Sequence, residues 1–234
     1  MRALWLIMAS LAFASSMSAN AGDAARTPLP PDSAYQVDAT LMRAGRGEIE
    51  WRDLRGTPRV VTMFYSACRA VCPMIVESAR AVQRGLPAAD RGRVGFVLLT
   101  MDPARDTPVA LATVQRDRHL DPATWLLLQP GESDVRTLAA ILGVRYRALA
   151  DGEFNHTTTL VLLDPDGRVL ARTEKIGSAG DPAFVEAVRA AAAAARRPVQ
   201  RRAAGSVVPA ATNPASRSRQ LSQRPQARPS ASGW

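Results

Sequence analysis

The sequence predicts an α/β fold built around a parallel β-sheet. Residues 59–65 form an apolar, β-branched run that is typical of a buried strand. Residues 94–100 form a second, continuous apolar run of the kind found in the centre of a parallel sheet. Between these runs, residues 74–86 place apolar side chains at helical spacing. Residues 60–100 are therefore predicted to form a strand–helix–strand unit with the usual right-handed crossover.

Upstream of this unit, the sequence predicts a β-hairpin. Residues 35–41 alternate apolar and polar side chains with period two, which indicates a half-buried strand. A second short segment, around residues 49–51, follows a glycine-containing turn at residues 44–47. The hairpin is thus an extension in front of the core, and a bend at residues 54–58 leads from it to the first core strand.

Downstream of the unit, strand and helix patterns continue to alternate. Asp106 or Thr107 is a suitable N-cap for a helix that starts at Pro108 and ends near His119. The remaining predicted elements are a strand over residues 125–128, a helix capped by Ser133 or Asp134, an extended segment over residues 144–148, a polar loop over residues 151–156, an antiparallel hairpin over residues 157–163 and 168–173, and a helix from Asp181 to about residue 195.

This order of elements is that of a thioredoxin-like fold with an N-terminal β-hairpin extension. In such a fold, the polar loop before the final hairpin lies beside the turn that follows the first core strand. That turn contains the only two cysteines of the chain, Cys68 and Cys72. We therefore expect the loop over residues 151–156 to approach the two sulfurs.

The spacing of Cys68 and Cys72 allows two kinds of chemistry. Residues four apart in a helical turn are separated by about 6 Å along the axis, within the roughly 4.4–6.8 Å that a disulfide requires. Pro73 suits an early helix position, and the positive end of a helix next to Cys72 predicts a lowered thiol pKa. A purely structural disulfide is disfavoured, because closing so short a loop removes only on the order of 2 kcal/mol of chain entropy. A redox-active pair and a metal site both stay open.

The N-terminal end of the chain has the pattern of an export signal. A basic start, a 12-residue apolar stretch and the small residues Ala19 and Ala21 predict a secretory signal over residues 1–21, followed by a linker over residues 22–32. Export to the periplasm follows from this pattern. An uncleaved signal would anchor the protein to the membrane, although 12 apolar residues fall short of the roughly 20 that span a bilayer.

The net charge of +9 belongs to the C-terminal tail. Residues 22–195 carry 21 basic and 21 acidic side chains, whereas residues 196–234 carry eight arginines and no acidic residue. The charge therefore indicates no nucleic-acid partner for the folded domain, which we place at residues 33–195. The tail is rich in Arg, Pro and Ser, and we predict that it is disordered. It is either a solvated appendage or a weak contact for anionic lipid headgroups.

Three motifs follow one another along the folded domain. They are Cys68-x-x-x-Cys72-Pro73 after the first core strand, Asp102-Pro103-x-Arg105-Asp106-Thr107-Pro108 after the second, and His156 before a strand that ends in Asp164-Pro165-Asp166-Gly167. This arrangement resembles the Sco/SenC family of copper-binding, thioredoxin-like assembly proteins of cytochrome c oxidase. The resemblance covers about residues 33–191.

The resemblance implies one copper ion per chain, bound by Cys68, Cys72 and His156. It also implies delivery of copper to, or preparation of, the dinuclear copper centre of a respiratory cytochrome oxidase. The implied partners are the copper-receiving subunit of that oxidase and other periplasmic copper carriers or thiol reductants. The donor chemistry agrees, because thiolates suit Cu(I) and imidazole also supports Cu(II). His119, at a predicted helix end, is not expected to be a ligand, and Asp102 is either a turn residue or one that orients a ligand or holds a positive group nearby.

The sequence departs from the family pattern close to these ligands. Asn155 stands where the family usually has an aspartate, Thr157 stands where a serine is common, and residues 69–71 carry an arginine where a negative charge is frequent. Fewer acidic neighbours weaken the attraction for a cation and favour thiolate reactivity. The alternative function is therefore a periplasmic thiol-disulfide reductase in which Cys68 and Cys72 are catalytic and form a redox-active disulfide. A metallochaperone is not an enzyme, whereas this alternative is one.

Overall fold

The structure is a computed structural model that describes residues 28–45, 47–68 and 71–196. The predicted signal over residues 1–21 and nearly all of the predicted tail lie outside the described residues, as does Arg69. None of the helices within the described ranges is long and apolar enough to cross a membrane.

A seven-stranded sheet forms the centre of the domain, and a two-stranded sheet accompanies it. The strands are β1 (Thr40–Arg43), β2 (Gly47–Glu50), β3 (Arg59–Phe64), β4 (Gly95–Thr100), β5 (Trp125–Pro130), β6 (Tyr146–Ala148), β7 (Phe154–His156), β8 (Leu160–Leu163) and β9 (Val169–Thr173). The helices are α1 (Val71–Gly85), α2 (Pro108–Asp117), α3 (Glu132–Leu142) and α4 (Pro182–Ala194). The large sheet has the order β2-β1-β5-β4-β3-β8-β9, and β6 pairs with β7 in the small one.

The predicted strand–helix–strand unit is confirmed as β3, α1 and β4. The two strands pair in parallel from Arg59 opposite Gly95 to Phe64 opposite Thr100. All six residues of β4 are buried, which explains why its sequence is continuously apolar rather than alternating. Because Phe64 and Thr100 are neighbours, the segments that follow β3 and β4 leave the sheet at the same edge.

The N-terminal hairpin is confirmed, but its first strand is shorter than the alternating pattern predicts. β1 starts only at Thr40, whereas Tyr35 lies in a 3-10 turn that Ser33 caps. The Tyr35 N–H donates to the Ser33 hydroxyl at 3.0 Å, and the Tyr35 ring packs edge-on against Trp51 at 5.5 Å between centroids. The apolar residue Tyr35, which contributes to the alternating pattern, is thus buried as part of a turn and not as part of a strand. β1 pairs with β5, so the hairpin extends the main sheet.

Two predicted helix starts are resolved by the structure. Thr107 is the N-cap of α2, because its hydroxyl accepts a hydrogen bond from the Ala110 N–H at 3.3 Å. The prediction for α3 is wrong, since Gly131 occupies its N-cap position and neither Ser133 nor Asp134 does. The reason is that β5 continues to Pro130, two residues further than predicted, and the chain enters the helix at once.

The polar loop predicted over residues 151–156 is not a loop throughout. Its second half forms β7, which pairs antiparallel with β6, so that His156 lies opposite Tyr146 and Phe154 lies opposite Ala148. The hairpin β6–β7 pairs with no strand of the main sheet within the described residues. Its position therefore depends on side-chain contacts. The final hairpin, β8–β9, is antiparallel as predicted.

Candidate metal centre

Cys68 and Cys72 lie side by side after the end of β3. Their exposed fractions are 8% and 4%, and neither forms a disulfide. α1 starts at Val71, so Cys72 is in its first turn. The backbone N–H of Cys72 donates to the Sγ of Cys68 at 3.3 Å. The turn thus presents two adjacent thiols that can bind one soft metal ion or close into a disulfide.

Burial raises the pKa of the Cys72 thiol, contrary to the lowered value that its position in the helix predicts. Desolvation is the largest cause, and the Cys68 thiol and the Asp106 carboxylate add to it. A backbone hydrogen bond from Tyr65 opposes them. The desolvation of the thiolate raises the pKa by more than the partial positive charge at the helix N-terminus lowers it. In the metal-free protein, Cys72 is therefore a protonated thiol at neutral pH.

This raised pKa predicts a pH-dependent stability. The unfolded chain loses the thiol proton near its ordinary pKa of about 8.5, whereas the folded chain keeps it to higher pH. The contribution of the protonated Cys72 thiol to the stability of the folded protein is therefore fully present below about pH 8.5 and is lost as the pH rises above that value. We expect the free energy of unfolding of the reduced, metal-free protein to fall by up to about 1.4 kcal/mol per pH unit between roughly pH 8.5 and 10.

Denaturant unfolding at several pH values measures this slope, and Cys72→Ser is the matched variant because it removes the titrating thiol. The slope should disappear in that variant. An identical slope in the wild type and in Cys72→Ser would show that another group is responsible.

A buried carboxylate, Asp106, fixes the segment that precedes the cysteines. It accepts hydrogen bonds from the backbone N–H of Ser66 at 3.0 Å, from the Ser66 hydroxyl and from the Thr100 hydroxyl at 2.5 Å. Thr100 ends β4, and Ser66 lies two residues before Cys68. Asp106 therefore connects the segment after β3 to the end of β4, next to the thiols. The sequence predicts Asp106 only as a candidate helix cap.

Asp102 holds a positive group, which is one of the roles predicted for it. It is buried and forms an ion pair with Arg105. The guanidinium of Arg105 also donates to the carbonyl oxygen of Gly152 at 2.5 Å and lies 5.9 Å from the centroid of the Phe154 ring. Arg105 therefore attaches the β6–β7 hairpin, which contains His156, to the segment that follows β4.

His156 lies partly buried on β7. Its Nδ1 is 3.1 Å from the carbonyl oxygen of Thr157. Because a carbonyl oxygen only accepts hydrogen bonds, Nδ1 is the donor in this contact, which leaves Nε2 as the nitrogen that could bind a metal. The imidazole ring packs edge-on against the ring of Tyr65, with 5.9 Å between centroids. The carbonyl of Tyr65 in turn accepts a hydrogen bond from the Cys68 N–H at 3.3 Å, so Tyr65 links the histidine to the cysteine turn.

The three predicted ligands lie at one edge of the sheet, but only the two cysteines are adjacent. In the described part of the chain, no three Cys, His, Asp or Glu side chains form a group that could hold a metal ion, so the three-ligand set stays a prediction. Its chemistry fits copper, because two thiols and an imidazole are soft and borderline donors. His119 is exposed at the end of α2 with φ +50° and does not belong to this group.

Two residues at this edge were missed by the sequence analysis, Tyr65 and Glu153. The Tyr65 hydroxyl donates to the Glu153 Oε2 at 2.7 Å, and its ring packs edge-on against Phe154 at 5.1 Å. No motif marks either residue, since Tyr65 follows an apolar strand and Glu153 resembles any acidic residue in a polar loop.

Comparisons with known proteins agree with the motifs. A family model described as SCO1/SenC matches residues 31–192. A relative from Stutzerimonas stutzeri, described as a putative copper-binding protein, is 30% identical over 118 residues. The match covers 49% of this chain and 56% of the relative, so it spans little more than half of that curated protein.

Solved structures share the fold. A putative electron transfer protein from Aquifex aeolicus VF5 superposes with a TM-score of 0.60 at 25% identity, covering 68% of this chain and 93% of the other. Copper-bound ScoI from Bradyrhizobium japonicum superposes with a TM-score of 0.54 at 22% identity, covering 64% and 96%. These similarities confirm the thioredoxin-like fold.

Proposed function

Because the chain belongs to the SCO1/SenC family, we propose that it binds one copper ion through Cys68, Cys72 and His156. It delivers this copper to, or prepares, the dinuclear copper centre of a respiratory cytochrome oxidase. The observation that carries the proposal is the pair of buried, reduced, adjacent thiols at the sheet edge where the His156 hairpin is held. The description of the Stutzerimonas stutzeri relative as a putative copper-binding protein supports copper as the metal.

The proposed ligands suit a carrier that must both retain and release its cargo. Two thiolates favour Cu(I), and the Nε2 lone pair of His156 extends the site to Cu(II). Three protein ligands leave room for an incoming ligand from a recipient, so copper leaves by exchange rather than by dissociation into water. Asp106 and Asp102 hold the segments around the proposed site in place.

The setting of this activity follows from the ends of the chain. From the predicted signal over residues 1–21, we infer that the protein acts in the periplasm. We propose the copper-receiving oxidase subunit and other copper carriers or thiol reductants as its partners there. The folded domain has no excess of basic side chains, so its charge gives no support for a nucleic-acid partner. The arginine-rich tail contributes at most weak contact with the membrane surface.

A transfer assay tests delivery. The copper-loaded protein is mixed with a purified, reduced and metal-free copper-receiving oxidase subunit, and the copper content of each protein is measured after separation. We expect copper to move to the recipient, and His119→Ala to transfer as the wild type does. Copper that stays entirely on the donor would rule out delivery to that centre.

A second function, reduction of protein disulfides, is favoured by the 3.3 Å contact that holds Cys72 against Cys68. Turnover of a disulfide substrate by the metal-free protein distinguishes the two. If Cys68 and Cys72 act as a reductase, His156→Ala leaves this turnover almost unchanged. If copper binding is the function, the same substitution sharply weakens copper retention while the disulfide still forms.

A further inference from the structure

Tyr65 contacts one cysteine and the histidine of the proposed site. Its carbonyl accepts a hydrogen bond from the Cys68 N–H at 3.3 Å. Its ring packs edge-on against His156, with 5.9 Å between centroids and 77° between planes. Tyr65 therefore links the cysteine turn to the imidazole.

Tyr65 also holds the strand on which the histidine lies. Its hydroxyl donates to the Glu153 Oε2 at 2.7 Å and accepts from the Phe154 N–H at 3.4 Å. Its ring packs edge-on against the ring of Phe154 at 5.1 Å. Glu153 and Phe154 precede His156 by three and two residues, so the tyrosine is bound to this short segment at several points.

The hairpin β6–β7 needs such contacts. It is a two-stranded sheet of three residues per strand, and isolated two-stranded hairpins are at best marginally stable in water. Arg105 supplies a second attachment, through Gly152 and the Phe154 ring. Tyr65 differs from Arg105 because the same side chain that holds the hairpin also packs on His156.

We propose that Tyr65 is a positioning residue for metal binding. With Glu153 as the acceptor of its hydroxyl, it holds the hairpin β6–β7 so that His156 lies against the cysteine turn. The statement that this positioning serves metal binding rests on the proposed function. The positioning itself is a property of the metal-free protein.

Amide hydrogen exchange on the reduced, metal-free protein tests the positioning. Tyr65→Phe keeps the ring and removes the hydroxyl, and Glu153→Gln removes the charged acceptor. Both should raise the exchange rates of the β6–β7 amides about tenfold, while amides of β3 and β4 stay protected. Tyr146→Phe is the control, because it removes a hydroxyl on the same hairpin that makes no hydrogen bond with the described residues. Unchanged exchange in both test variants, or an equal increase in the control, would overturn the proposal.

A double-mutant cycle separates positioning of His156 from a general structural role. Tyr65→Phe should weaken copper binding about tenfold when His156 is present and should have no further effect in His156→Ala. Equal weakening in both backgrounds would overturn the proposal. If the wild type retains no copper, the proposed function fails by itself, and hydrogen exchange still decides whether Tyr65 positions the hairpin.

Discussion

Cys68→Ser and Cys72→Ser are each expected to abolish copper retention by the reduced protein. Each substitution removes one of two adjacent sulfurs, and a hydroxyl is a poor ligand for Cu(I), so the remaining thiol and imidazole form an incomplete site. Each also removes the possibility of an intramolecular disulfide. Copper content after desalting, together with a thiol count, measures both effects.

Both serine variants should remain folded, because serine is close in size to cysteine and burying its hydroxyl costs about 1–3 kcal/mol in proteins. Circular dichroism therefore serves as the check that lost copper reflects a lost ligand. Stoichiometric copper in either single variant would contradict the assignment of that cysteine.

His156→Ala is expected to weaken copper binding by more than about 100-fold. Removal of a residue that only orients a ligand typically costs 10–100-fold, roughly, and the loss of a ligand should exceed this. The thiolate-to-Cu(II) absorption band should change or vanish, whereas oxidation of Cys68 and Cys72 to a disulfide should proceed as in the wild type. A copper titration with a competing chelator measures the affinity.

His119→Ala is the matched control, because His119 is the only other histidine and is exposed at the end of α2. Its copper affinity should equal that of the wild type. Wild-type affinity in His156→Ala would remove His156 from the site and would shift the function towards thiol-disulfide reduction.

The centre of the fold is predictable from the sequence because its signals are local and strong. The apolar runs that become β3 and β4 have few alternatives once a helical pattern of adequate length separates them. The cysteine turn follows directly, since its place between strand and helix is set by the same runs. The family motifs then name the ligand candidates without any knowledge of distances.

Other features depend on contacts between distant residues and could not be predicted locally. Tyr35 satisfies an alternating strand pattern but is held in a turn by Ser33 and packs on Trp51. β7 exists only because residues 146–148 pair with it, and such short, polar strands carry little signal. The raised pKa of Cys72 reflects desolvation by the whole fold, whereas sequence shows only the nearby helix start.

X-ray absorption spectroscopy of copper bound to the reduced full chain is the most direct test of the three-ligand site. We predict one copper per chain with two sulfur ligands and one imidazole, and loss of the imidazole contribution alone in His156→Ala. A wild-type spectrum with sulfur ligands only, or the absence of retained copper, would contradict the site formed by Cys68, Cys72 and His156.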